Sequence, residues 1–218
     1  MLKILAYIIL YVSNLSAIPA IWIGKKDKLI LWYYVLACFT ADVLSFVLKH
    51  YHITHALVSN LFLLAEFITI TVYFKNVFFD SRRNKTVFTI LLCLVAAIFC
   101  FRAYMCMANA TTEKEAFNYT DASVFYVYYI ILSLIGLYKV MSEIQTARIE
   151  QSPLFLSCIA FLLYASGALF PFLYKNVAIA SDMKKFDTLW MYFFLPLNTI
   201  KNILIALSLR SAVVVKYR

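Results

Sequence analysis

Residues 56–74 read Ala56-Leu-Val-Ser-Asn60-Leu-Phe-Leu-Leu-Ala-Glu66-Phe-Ile-Thr-Ile-Thr71-Val-Tyr-Phe74. The stretch holds one formal charge, Glu66, and neither glycine nor proline. A membrane strand would run about 10 residues with strict alternation. This run is about twice as long and apolar on every side, so it predicts a helix of spanning length. In hydrocarbon no water satisfies free backbone groups, and a helix bonds its own.

Outward from this segment the same pattern recurs at 5–24, 29–48, 86–107, 122–141, 154–174 and 189–209, each flanked by charged or histidine-containing connectors. The composition agrees. Of the 218 residues, 64% are drawn from the apolar and aromatic set and only 14% are charged, and mean hydropathy is +0.83. Soluble domains hold about 45–50% apolar residues. These values exclude a soluble enzyme, a disordered chain and a coiled coil. The expected fold class is all-α: a polytopic membrane protein, a seven-transmembrane-helix bundle forming a single domain over 1–218.

Orientation follows from Lys and Arg in the connectors. One side carries Lys25, Lys26, Lys28, Lys75, Arg82, Arg83, Lys85, Lys139, Arg148, Arg210, Lys216 and Arg218; the other carries Lys3, Lys49, Lys114, Lys175, Lys184 and Lys185. The richer side is expected in the cytoplasm, with the N-terminus outside and the C-terminus inside. The net charge of +9 is largely this bias. It is scattered over several connectors instead of forming one stripe, which argues against nucleic acid as partner. The expected surroundings are a lipid bilayer, a bacterial inner membrane crossed many times. The start resembles a signal peptide up to Ala17, but apolar character resumes through Ile18–Ile23. Cleavage would strand Lys25, Lys26 and Lys28 on the wrong side, so an uncleaved first span is expected.

Asn109-Ala-Thr111 and Asn118-Tyr-Thr120 match the glycosylation acceptor on the expected outer side and matter only in a eukaryotic secretory pathway. The five cysteines, Cys38, Cys93, Cys100, Cys106 and Cys158, lie in spans without a CxxC pair and read as small packing residues. Tyrosine-rich runs such as Trp32-Tyr33-Tyr34 and Phe125-Tyr126-Val127-Tyr128-Tyr129 lie near span ends and read as interfacial belts.

Polar groups at bilayer depth carry the functional signal. A charged side chain there costs at least about 2.5–3.5 kcal/mol, so it is paired or functional. Asp42, Glu66 and Lys201 are the deep charges, and Asn60, Asn198 and Asn202 add amides at related depths. Lys201 and Asn198 are three residues apart and share a helix face. The expected site is one outward-opening polar pocket. It is either a ligand or proton site or a polar network that fixes helix register. All three histidines, His50, His52 and His55, fall in one short connector. Together they are candidate ligands for zinc or copper, or imidazoles titrating near neutrality. No other cofactor is expected. Nucleotide, nucleophile-elbow and H-E-x-x-H motifs do not occur.

Three stretches, Asn60–Phe67, Phe161-Leu-Leu-Tyr164-Ala-Ser166-Gly167 and Asn198-Thr-Ile-Lys201-Asn202-Ile-Leu204, together resemble a group of small seven-helix inner-membrane proteins of Bacteroidota. The group is similar to sensor-type membrane proteins more than to known enzymes, and similar chains look like accessories of defence or signalling operons. The leading expectation is therefore a non-catalytic sensor or accessory protein. It would bind a ligand or partner through the polar pocket and relay to another membrane or cytoplasmic protein. A proton- or ion-coupled transporter or channel and a membrane lipid hydrolase remain as alternatives.

Overall fold

The computed structural model describes residues 15–23, 29–51, 56–78, 82–110, 116–143, 149, 152–178 and 190–211. Among these, the regular structure is helical and contains no strand. The helices are α1 (Ala17–Ile23), α2 (Leu29–His50), α3 (Ala56–Phe78), α4 (Arg82–Asn109), α5 (Tyr119–Glu143), α6 (Pro153–Ala178) and α7 (Leu195–Ser211). A single π-helical turn, Trp190–Phe194, leads directly into α7.

Among the described residues, five helices are long and apolar enough to cross a membrane: α3, α4 from Asn84, α5, α6 through Leu173, and Tyr192–Arg210. Over α2 the described apolar stretch is Ile30–Ser45, inside a helix of 22 residues. The five long helices and the shorter one stand where six of the seven expected windows lie. The expected first window, 5–24, is described only over 15–23.

The start signals are local. Ser152 precedes Pro153 at the first position of α6, and its hydroxyl accepts the Phe155 amide at 3.5 Å, a cap followed by a residue that needs no amide partner. Asn118 caps α5, its Oδ1 accepting the Asp121 amide at 3.2 Å. Its Nδ2 donates in return to Asp121 Oδ2 at 2.7 Å.

α2, α3, α5, α6 and α7 pack in a closed ring: α2 on α3, α3 on α5, α5 on α6, α6 on α7, and α7 back on α2. α1 packs against α7 and α2, and α4 lies outside the ring against α3. α4 accordingly exposes an apolar face that includes Ile90, Leu94, Ile98 and Phe101, the face expected toward lipid. Between apolar helices in lipid, close approach and interhelical hydrogen bonds replace the hydrophobic drive. Gly136 of α5 supplies one such approach: a β-carbon there would overlap the Cys158 sulfur of α6 and come within 3.2 Å of Phe74 of α3. Gly167 of α6 lies against Leu197 of α7 in the same way. At the end of the bundle where α6 begins, Ser157 and Ser208 both donate to the Pro153 carbonyl, at 2.8 and 2.7 Å.

Candidate functional site

The ring of five helices encloses a polar cluster to which each contributes. α3 supplies Glu66, with 0% of its surface exposed, and α7 supplies Lys201, 1% exposed. The Lys201 ammonium donates to the Tyr34 hydroxyl of α2 at 2.9 Å. That hydroxyl donates in turn to Glu66 Oε1 at 3.0 Å. Tyr126 of α5 donates to Glu66 Oε2 at 3.4 Å and shares a 3.3 Å hydroxyl contact with Tyr164 of α6. Lys201 Nζ also lies 3.7 Å from the Cys38 sulfur and over two aromatic faces, 4.1 Å from the Tyr164 centroid and 4.9 Å from that of Tyr34.

Chemically this is a cation and a carboxylate joined through a phenol. Tyrosine suits the task because its one oxygen can accept from an ammonium and donate to a carboxylate at the same time. The tyrosine faces add cation–π stabilisation to a charge that has left water. Both oxygens of Glu66 accept a hydrogen bond, which is the condition for keeping a carboxylate in a low-dielectric interior. Such a unit can store a charge state and translate it into the positions of α2, α3 and α7.

On the side of the cluster where α5 begins, aromatic rings cover it. Phe172 stacks on Tyr126 at 5.0 Å and on Phe117 at 5.9 Å. Phe194 of the π-turn sits 5.4 Å from Tyr164 and 6.5 Å from Phe172. Among the described residues, these rings pack over that side of the cluster. The tyrosine runs differ from expectation. Tyr34, Tyr126 and Tyr129 are 1%, 3% and 0% exposed, and they line the interior instead of forming interfacial belts. Only their neighbours Tyr33 and Val127 face outward.

The remaining candidates separate into three places. Asn202, 1% exposed, donates to Ser16 Oγ at the start of α1 at 3.0 Å, while its Oδ1 has no hydrogen-bond partner among the described residues. Asn198, one turn earlier on α7, is also buried. Asp42 is half-buried, two turns along α2 from Tyr34 and one beyond Cys38, whose sulfur lies 3.7 Å from Lys201 Nζ. Asn60 belongs elsewhere: it donates to the Ala116 carbonyl at 2.9 Å and accepts the Asn118 amide at 3.1 Å. It therefore pins the turn before α5. Asp121, next to that turn, accepts from Arg102 Nε of α4 at 3.1 Å. Asn118 is 2% exposed with its amide bonded to Asp121, so this acceptor motif is folded into the protein. The Asn109 side chain is exposed and donates to the Met105 carbonyl at 2.9 Å.

Of the histidine connector, His52 and His55 lie outside the described residues, and His50 is described only as the last helical residue of α2. No group of His, Cys, Asp and Glu capable of holding a metal occurs among the described residues.

Tyr34, Cys38, Tyr126 and Tyr164 were not among the sequence candidates. The available signal was spacing: Tyr34, Cys38 and Asp42 recur every four residues and share one face of α2. No family model, curated protein or solved structure matches the chain.

Proposed function

We propose that the chain is a non-catalytic membrane sensor or accessory protein, a buried charge switch that relays to a protein partner. The observation that carries this reading is the Lys201–Tyr34–Glu66 connection. Two ionic groups from different helices meet at 0–1% exposure inside a ring to which all five helices contribute a side chain. A change in charge at that point alters the packing of the ring at once, because an unmatched buried charge is strongly destabilising. In this reading the chain crosses the bacterial inner membrane seven times, with its N-terminus outside. The end bearing Lys75, Lys85, Lys139 and Arg210 faces the cytoplasm and its partner. The positive-inside bias supports that orientation. The resemblance to small sensor-like proteins of Bacteroidota supports the class.

The transporter reading stands second, on a specific feature. The π-turn Trp190–Phe194 and Pro196 precede Lys201 in the chain, and Pro171 lies inside α6, next to Phe172 of the aromatic cover. π-turns and prolines mark places where a helix can change its course.

Purified protein in proteoliposomes with an interior pH dye separates the two. The switch predicts no proton flux above that of Glu66→Gln under an imposed pH gradient. It also predicts that the protection of α7 amides, taken relative to their intrinsic exchange rate at each pH, changes with pH in the wild type and not in Glu66→Gln/Lys201→Met. Glu66-dependent flux would replace the switch by the transporter, and α7 protection indifferent to pH would remove the switch.

A further inference from the structure

We infer that Asp42 is a proton-binding site whose charge decides which of two partners Lys201 engages. The inference rests on reading the cluster as a switch and names the ligand that throws it. Tyr34, Cys38 and Asp42 are spaced four apart, so they form one line along α2 with steps of about 6 Å. Lys201 lies against the first two, at 2.9 Å from the Tyr34 hydroxyl and 3.7 Å from the Cys38 sulfur. Asp42 is the next position on that line.

The two carboxylates near Lys201 are unequal. Glu66 is fully buried and receives hydrogen bonds on both oxygens, from Tyr34 and Tyr126. Asp42 is half-buried and makes no hydrogen bond or ion pair among the described residues, one helical step beyond the Cys38 sulfur that Lys201 reaches at 3.7 Å. A half-buried carboxylate without a donor is the group in this cluster most readily altered by a proton from water. Lysine is the residue suited to respond. Its ammonium rides a flexible four-carbon stem, and it acts as a point charge without a fixed fork.

Among the described residues, the titratable and charged groups near Asp42 come from α2, α7 and α3. Cys38 shares its helix face, and Lys201 approaches from α7. Glu66 belongs to α3, and the described residues of α1 carry no ionisable side chain. When Asp42 is an anion, it draws Lys201 one step along α2 and away from Tyr34. When Asp42 takes a proton from water, its carboxylate becomes a carboxylic acid, and Lys201, still an ammonium, returns to the Tyr34–Glu66 position. The proton leaves by the reverse route, and no other bond forms or breaks.

Infrared difference spectra of the full chain in lipid nanodiscs, recorded between neutral and acidic pH, test this. The wild type should gain a carboxylic C=O band on acidification together with a shift in a tyrosine ring mode. Asp42→Asn should lose both, and Glu66→Gln should keep the carboxylic band. Tyr34→Phe should keep the carboxylic band and lose the tyrosine shift, as should Lys201→Met. A wild type without the band would overturn the proposal. So would a band lost in Glu66→Gln and kept in Asp42→Asn, or a tyrosine shift that survives Lys201→Met. If Asp42→Asn does not fold, the wild type, Glu66→Gln and Lys201→Met spectra still decide. Proton flux in proteoliposomes remains a separate outcome and bears only on the choice between switch and transporter.

Discussion

Lys201 and Glu66 are joined through one oxygen. The Tyr34 hydroxyl accepts from the ammonium at 2.9 Å and donates to the carboxylate at 3.0 Å. The two charges are thereby kept apart yet in contact with the same atom, and three helices of the ring are tied at that atom. This arrangement explains how Lys201 can be 1% exposed in an apolar helix without a carboxylate directly on it.

Tyr34→Phe removes that oxygen with almost no change in volume. Glu66 Oε1 loses its donor and Lys201 its closest acceptor, and each buried group left unsatisfied costs about 1–3 kcal/mol. The variant should unfold at lower denaturant than wild type in a detergent titration, while Tyr33→Phe, on the exposed side of the same helix, should not differ. Equal stability of the two variants would show that the hydroxyl carries no weight.

Tyr164 offers a contrast between ring and hydroxyl. Its ring centroid lies 4.1 Å from Lys201 Nζ, and its hydroxyl touches that of Tyr126 at 3.3 Å. Tyr164→Phe keeps the face and should cost about 1 kcal/mol. Tyr164→Leu loses the cation–π contact as well and should cost roughly 1–2 kcal/mol more. Unfolding titrations of both check the order; a leucine variant as stable as the phenylalanine one would remove the aromatic contribution.

Asn60→Ala should act locally. Its amide holds the Ala116 carbonyl and the Asn118 amide, so hydrogen exchange should accelerate at the turn and in the first turn of α5. Exchange around Lys201 should stay as in wild type. Acceleration at α7 instead would place Asn60 in the charge cluster after all.

Gly136→Val tests the α5–α6 seam. Even a β-carbon there would overlap Cys158 and crowd Phe74, and overpacking of this kind costs about 1–3 kcal/mol. The double variant Gly136→Ala/Cys158→Ala should recover most of the stability lost by Gly136→Ala alone, because it removes the sulfur in the way. No recovery would mean that the backbones themselves set the spacing.

Glu66 and Lys201 were legible in the sequence because a charge inside an apolar run is costly and therefore conspicuous. The tyrosines around them were not. A tyrosine has an apolar body and a polar tip, so the same run suits a headgroup belt or a buried cluster. Only the neighbouring helices decide which. Tyr34 and Tyr33 are adjacent in sequence yet 1% and 50% exposed, because successive residues on a helix point to different faces. Asn60 was misleading for a related reason. It shares α3 with Glu66, but its partners belong to the turn before α5, which hydropathy does not place. The aromatic cover was equally hidden, since Phe117, Phe172 and Phe194 come from three separate segments. The helices themselves were read well over 56–74 and 154–174, where long apolar runs leave few alternatives. The window 29–48 likewise falls within α2, Leu29–His50, although Asp42 lies inside it.

The most direct test is a double-mutant cycle on Glu66 and Lys201, using unfolding free energies of wild type, Glu66→Gln, Lys201→Met and the double variant in one membrane mimetic. Each single variant leaves the other charge buried and unmatched, so the double variant should cost at least ~1 kcal/mol less than the sum of the singles. Costs that add to within about 0.5 kcal/mol would contradict the account, because the two groups would then not share a site.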